Sequence, residues 1–311
     1  MPRTLSTYLF VKRKLTPALL ADIARYDIQA VEIFCARAHF DYRSSDVVRE
    51  LAATLRDCGL AVHAIHGPAE RDFSQTRESS APLSICDLER SRRLEAVDEI
   101  KRALDLTEEI PFRFLVQHFG SSRDDADPRR VDAAFSSLEH LNLFAKQRGV
   151  TIALENTPGE LATPAHLRQF IAETRLTDLR LCFDTGHAHL ADGVPASLEA
   201  MAELTVTSHI HDNHGDKDEH LPPYQGTIDW KSALAALALA PAHAATMHAT
   251  TKHAGASNSG AQKNSRTGVP LVLELKEQPA HAEPTPPSVA LVEVQRTFDR
   301  IERELDEIAQ G

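Results

Sequence analysis

Short β-like runs alternate with longer helical ones along the chain, and this alternation limits the possible folds most strongly. The candidate strands are TLSTYLF (4–10), QAVEIFC (29–35), AVHAIHG (61–67), RFLVQHFG (113–120), TIALENT (151–157), LRLCFDTGH (179–187), VTSHIHDN (206–213) and PLVLELK (270–276). Helical patterns fill the gaps, as over 89–109 and 129–149. Gly59 and Gly149 stand where helix C-termini favour a left-handed residue. Eight such units within 311 residues predict one α/β domain over 1–311, a single (β/α)8 TIM barrel. A doubly wound sheet is the competing arrangement, but its usual GxGxxG after the first strand is absent. Residues 241–268, rich in Ala, Ser, Thr, Asn and Gly without periodicity, read as a flexible low-complexity insertion before the eighth strand. Its His243, His248 and His253 read as solvated loop residues, and 289–308 as the last barrel helix.

Strand side chains alternate between faces, so in a barrel every second residue points inward. Ile152 and Leu154 put Glu155 on the inner face, and Leu181 and Phe183 do the same for Asp184. Val206, Ser208 and Ile210 share the outer face, which leaves His209, His211 and Asn213 inside. Leu271, Leu273 and Leu275 likewise leave Glu274 inside. His66 and His118 fall in the inward phase near the ends of strands three and four, and Glu32 sits earlier along strand two. These polar residues gather toward the C-terminal ends of the strands, the face on which such barrels carry their active sites.

Clustered inward carboxylates repel one another and are costly to bury. A divalent cation resolves this, and Glu155, Asp184, His209 and Glu274 suit Mn2+, Mg2+, Co2+ or Zn2+. The other solution is a salt-bridge network with Lys or Arg, for which the inward phase of these strands offers only Arg180 and Lys276. His187, three residues beyond Asp184, and Asp218 and His220, beyond the turn at Gly215, are further candidate ligands. The alternative for the last two is a solvated charged loop.

The remaining features narrow the class. A formal net charge of −11 disfavours a nucleic-acid partner. No apolar run is long enough for a membrane span, and the first residues do not read as a signal peptide, so a cytoplasmic location is expected. Cys35, Cys58, Cys86 and Cys182 form no CxxC pair and read as reduced thiols. Arg123 in GSSRDD is a weak signal for phosphate, and a homo-oligomer is compatible with the sequence.

The joint set AIHGP, VQHFG, ALENTPGE, CFDTGHA, HIHDN…DEHLPPYQGTIDW and LVLELK resembles the xylose-isomerase-like barrel superfamily, from strand two to strand eight. That superfamily contains sugar isomerases, ketose 3-epimerases and the endonuclease IV family. Its epimerase branch implies one metal on Glu155, Asp184, His209 and Glu274, with Glu155 and Glu274 exchanging the substrate proton. It further implies sugar contacts from His187 and, more loosely, Glu160. His211 is a candidate for binding hydroxyls and Tyr224 for stacking on a sugar. The endonuclease IV branch implies up to three Zn2+ on His66, His118, Glu155, Asp184, His187, His209, Asp218, His220 and Glu274. HGPAE lacks that branch's aromatic wedge after the strand-three histidine. The resemblance therefore implies a metal-dependent isomerase or epimerase of a sugar or similar small polyhydroxy carbonyl compound. A multinuclear zinc phosphodiesterase or a dehydratase or lyase is the alternative. A purely sugar-binding barrel is disfavoured by the paired inward glutamates.

Overall fold

The computed structural model describes residues 1–70, 82–121, 124–240, 268–277 and 286–310. Eight parallel strands close into a barrel in chain order, with β1 paired to both β2 and β8. The strands are β1 (Thr4–Ser6), β2 (Ala30–Phe34), β3 (Ala61–His66), β4 (Phe114–His118), β5 (Thr151–Glu155), β6 (Arg180–Asp184), β7 (Thr205–Ile210) and β8 (Leu271–Leu273). The helices between and after them are α1 (Pro17–Arg25), α2 (Ser45–Cys58), α3 (Arg90–Asp105), α4 (Pro128–Gln147), α5 (Pro164–Thr174), α6 (Thr185–His189), α7 (Val194–Met201), α8 (Trp230–Leu239) and α9 (Pro287–Gln310). The expected single (β/α)8 barrel is therefore observed. The positions expected to form the 241–268 insertion lie outside the described residues up to 267, as does Arg123.

Local chemistry sets the helix ends. Thr16, Thr163 and Asp127 cap α1, α5 and α4 with side-chain oxygens, each just before a proline in the first turn. Gly59 ends α2 in the left-handed conformation at φ 67°. The first strand, expected over 4–10, stops at Ser6, whose hydroxyl accepts the Tyr8 N–H and starts a 3-10 turn over Thr7–Phe10. The eighth, expected over 270–276, is hydrogen-bonded as strand only at Leu271–Leu273, so Glu274 lies just past its end.

Two layers of apolar side chains hold the barrel. Outward-facing strand residues such as Leu5, Ile33, Leu115, Ile152, Phe183 and Leu273 pack against the helices. Inside, Ala64, Phe114, Val116, Ala153, Cys182 and Val206 form a separate cluster. Val206 corrects the expected phase. Thr205 pairs with Leu181 and Thr207 with Cys182, so Val206 is an extra residue at a bulge and turns inward. A matching irregularity in β3 lets His63 reach Thr207 across the barrel, Nε2 to Oγ1 at 2.9 Å. Beyond the bulge the alternation resumes as expected, with Ile210 outside and His209 in the mouth.

Candidate metal centre

Above the apolar interior layer, the strand ends and the loops after them converge as three sets of donors. Glu155, Asp184, His209 and Glu274 form the central set. His66 and His118 form a second set with Glu155, and His187, His211, Asp218 and His220 form an outer one. In each set the donor atoms lie within 4.8 Å of one another. His209 Nδ1 stands 3.3 Å from Glu155 Oε1, 3.4 Å from Glu274 Oε2 and 3.7 Å from Asp184 Oδ2. Glu155 also faces the second set, its Oε2 lying 3.3 Å from His66 Nε2 and 3.2 Å from His118 Nε2.

Backbone chemistry places these groups. Asp184 caps α6 by accepting the His187 N–H at 2.7 Å, and that single helical turn brings His187 back over the mouth. Asn156 ties β5 to β6, its amide exchanging hydrogen bonds with the backbone of Asp184 at 2.7 and 3.0 Å. His220 adopts φ 50°, sparsely populated for a residue with a Cβ, and its backbone carbonyl accepts the Lys276 N–H at 3.0 Å.

Four of the histidines share one arrangement, in which one ring nitrogen is engaged behind the site and the other faces the donors. His66 Nδ1 donates to the Gly67 carbonyl, His187 Nδ1 to Asn156 and His220 Nδ1 to Glu274, each at 2.9 Å. His209 Nε2 meets the Glu32 carboxylate at 3.1 Å, and Glu32 is itself held by Ser6 Oγ at 3.0 Å. Metal-binding imidazoles are oriented by this kind of outer contact. Among the described residues, Glu155 Oε1, His209 Nδ1 and His211 Nδ1 are buried polar atoms without a hydrogen-bond partner. Donors on one tetrahedral zinc, with bonds of about 2.0–2.2 Å, stand about 3.3–3.6 Å apart. Of the separations around His209 Nδ1, 3.3 and 3.4 Å fall within that spacing and 3.7 Å lies just above it. The donor chemistry, the unpartnered atoms and the spacing therefore fit a divalent cation.

The electrostatics agree. Burial opposes ionisation of Glu155, but the imidazoles of His209 and His118 outweigh it and hold the carboxyl well below its ordinary range. Burial likewise disfavours charge on Asp184, and His187 and His211 overcome it. Conversely, Asp184, Asp218 and Glu155 overcome burial to raise His187 well above its ordinary value.

The positions predicted from sequence divide in two. Nine of them, His66, His118, Glu155, Asp184, His187, His209, Asp218, His220 and Glu274, converge in the three sets. His211, expected to meet substrate hydroxyls, is fully buried, with Nε2 at 3.0 Å from Asp184, and joins the outer set. Glu160 and Tyr224 belong to none of the sets. Glu160 is exposed and accepts the Ala126 N–H at 3.3 Å. The Tyr224 ring lies 3.5 Å beneath the Arg300 guanidinium of α9 and packs against Trp230.

An aromatic wall that the sequence did not mark borders the donors. Tyr8 packs on Phe34 and on His220, with both centroid distances 4.9 Å, and Phe34 packs on His66 at 4.5 Å. Burial, then Glu274 and Asp218, push the Tyr8 phenol up. Aromatic residues in strand-like runs read as core, so nothing in the pattern marked these two. Glu32, an acid within AVEIF, was the visible signal for the partner of His209.

Fold and site together define a (β/α)8 barrel with a carboxylate–imidazole mouth suited to divalent metal. The chain belongs to the xylose isomerase-like TIM barrel family, whose model matches residues 20–267. It is 29% identical over 243 residues to an uncharacterized protein of Methanocaldococcus jannaschii, covering 75% of this chain and 78% of that one. A probable endonuclease 4 of Natronomonas pharaonis is 24% identical over 169 residues, 48% of this chain and 60% of the relative. Among solved structures, a D-tagatose 3-epimerase-like protein superposes with a TM-score of 0.72 at 20% identity, covering 100% of this chain and 99% of the other. An L-ribulose 3-epimerase gives 0.73 at 15% identity over 100% and 96% of the two chains. An IolI protein with a bound zinc atom gives 0.71 at 16% identity over 97% and 98%. At these identities the solved structures establish the fold alone. No described helix is long and apolar enough to cross a membrane.

Proposed function

We propose that the protein is a divalent-metal-dependent isomerase or epimerase of a small polyhydroxy carbonyl compound, a sugar or a close relative. The observation that carries this reading is the convergence of two buried glutamates, Glu155 and Glu274, with Asp184 on the single imidazole nitrogen His209 Nδ1. The epimerase names among the structural neighbours support the same substrate class. When bound, the ion supplies positive charge that stabilises negative charge developing on adjacent substrate oxygens. Glu155, Asp184, His209 and Glu274 would hold it. Glu155 as a carboxylate takes the proton from the carbon next to the carbonyl, and Glu274, entering as the acid, returns its own proton to the substrate, so that the two exchange roles. Tyr8 and Phe34 offer an apolar face against which a sugar ring or chain can lie. His118, with 30% of its side chain exposed, and Asp218, with 36%, mark the open side of the mouth. The test is incubation with a panel of ketoses in deuterated water, with product mass and stereochemistry read by NMR. Deuterium entering a product of unchanged composition, and lost in Glu155→Gln, is the expected result. Loss of water from the substrate would assign a dehydratase or lyase instead.

One observation favours a second reading, a multinuclear zinc phosphodiesterase. Glu155 Oε2 faces His66 and His118 at 3.3 and 3.2 Å, so the carboxylate can bridge two ions, and the outer set can hold another. In that reading Glu155 is a bridging ligand and not a base. The partial match to a probable endonuclease 4 points the same way. Incision of abasic-site DNA by the zinc-loaded protein, with no proton exchange on any ketose, would decide for it.

A further inference from the structure

The outer donors His211, Asp218 and His220 lie beyond the end of β7, in the loop that leads to α8. That loop is organised around one carboxylate that belongs to none of the donor sets. Asp212 is completely buried. Its Oδ1 accepts the N–H groups of Asn213 at 2.9 Å and Ile228 at 3.2 Å. Its Oδ2 accepts the Tyr224 N–H at 3.0 Å and the Trp230 indole N–H at 2.7 Å. The backbone of Asp212 also pairs antiparallel with Leu221, at 2.8 and 2.9 Å, which closes residues 213–220 into a loop held at its base. Gly226 packs so tightly on this hub that a Cβ there would stand 2.4 Å from Asp212 Oδ1 and 2.2 Å from the Asn213 carbonyl oxygen. Asp212 is thus a buried charge stabilised by four oriented N–H dipoles, and three of the four come from the far side of the loop. Asp218 and His220 lie inside the closed loop, and His211 precedes Asp212 directly.

We propose that Asp212 is a positioning residue that presents the outer donors to a divalent cation, zinc by the chemistry of three imidazoles and one carboxylate. Trp230 is the one tryptophan in the chain, and its indole ends on the same carboxylate, so its fluorescence reports occupancy of that outer set. This inference rests on the mouth binding metal, as the proposed function requires.

The experiment uses the full chain, stripped with chelator and titrated with Zn2+. Trp230 emission is followed, and bound metal is counted by elemental mass spectrometry. Wild type is compared with Asp212→Ala, His220→Ala and Glu155→Gln. Wild type is expected to bind more than one ion, with an emission step that accompanies only the outer one. His220→Ala is expected to keep the central ion and lose the step. Asp212→Ala is expected to bind the outer ion roughly 10- to 100-fold more weakly while the central ion keeps its affinity. An unchanged outer affinity in folded Asp212→Ala overturns the inference, as does an emission step that persists in His220→Ala. Should Asp212→Ala fail to fold, Asp212→Asn, which turns one accepting oxygen into a donor facing N–H groups, takes its place with the same two outcomes. A wild type with one ion, lost in Glu155→Gln and kept in His220→Ala, overturns this inference and leaves the metal reading standing. A wild type that binds no divalent ion overturns both.

Discussion

Two buried glutamates in this barrel are accommodated in different ways. Glu99 on α3, 4% exposed, meets the Arg43 guanidinium through both oxygens, accepts the Tyr42 hydroxyl at 2.8 Å and is approached by Arg102. Glu155 on β5, 1% exposed, meets only imidazoles among the described side chains, as do Asp218 and Glu274, and Asp184 adds to its imidazoles only the backbone N–H of His187. Glu99 is a finished structural ion pair with a permanent cation. Among the described residues no Lys or Arg pairs with the carboxylates of the mouth, and two of its polar atoms, Glu155 Oε1 and His209 Nδ1, face each other without a hydrogen bond. Burying such groups without a permanent cation is expensive, and in the proposed function a divalent ion would complete the site.

The largest expected effect separates the two glutamates by function. Glu155→Gln, which removes both a metal ligand and the base, should lower turnover of a responsive substrate by at least roughly 10²- to 10⁴-fold, with the fold intact by circular dichroism. Wild-type-like turnover in that variant would move Glu155 out of the mechanism. Next in size is Glu32→Gln, which removes the carboxylate behind His209 and should weaken metal binding about 10- to 100-fold in a competition titration. Glu99→Gln is the counterpart on the other side of the comparison. It should cost about 1–3 kcal/mol in denaturant unfolding, as for a hydrogen-bonded charge, and leave metal content unchanged. Lost metal in that variant would show that the two regions are not independent.

The smallest effect is a pH dependence that reverses with metal. In the metal-free protein His66, His187, His209 and His220 titrate above their ordinary 6.5. Their contribution to stability is complete below 6.5 and fades as pH rises through the raised folded values. Glu32 and Glu155 titrate below their ordinary 4.5, and their contribution fades only as pH falls through the depressed values. Chelated protein should therefore lose thermal stability as pH rises from 6.5, whereas metal-loaded protein should gain, because ligands must shed protons to bind. Parallel curves with and without metal would contradict this.

Much of the site was legible in the sequence because strand alternation is strict. One acid in an apolar run, as in TIALE or RLCFD, has only one inward phase, and β5 and β6 obey it. Strand β7 obeys it only beyond Val206, since a bulge changes the phase and the pattern of residue types does not mark it. The lengths of β1 and β8 were overestimated because a capping serine and a departing chain end a strand without a change in hydrophobicity. Tyr8, Phe34 and the hub at Asp212 were illegible for another reason. Their roles come from contacts between distant segments, and an aromatic residue or a loop aspartate looks the same whether or not it has such a partner.

The central claim is that the mouth is a divalent-metal centre built on Glu155, Asp184, His209 and Glu274. It is tested most directly by elemental mass spectrometry of protein purified without chelator, beside Glu155→Gln and Asp184→Asn. At least about one divalent ion per wild-type chain, lost in both variants, is the result the account predicts. Wild type that carries no such ion, and takes up none after dialysis against Zn2+, Mn2+, Co2+ or Mg2+, would contradict it.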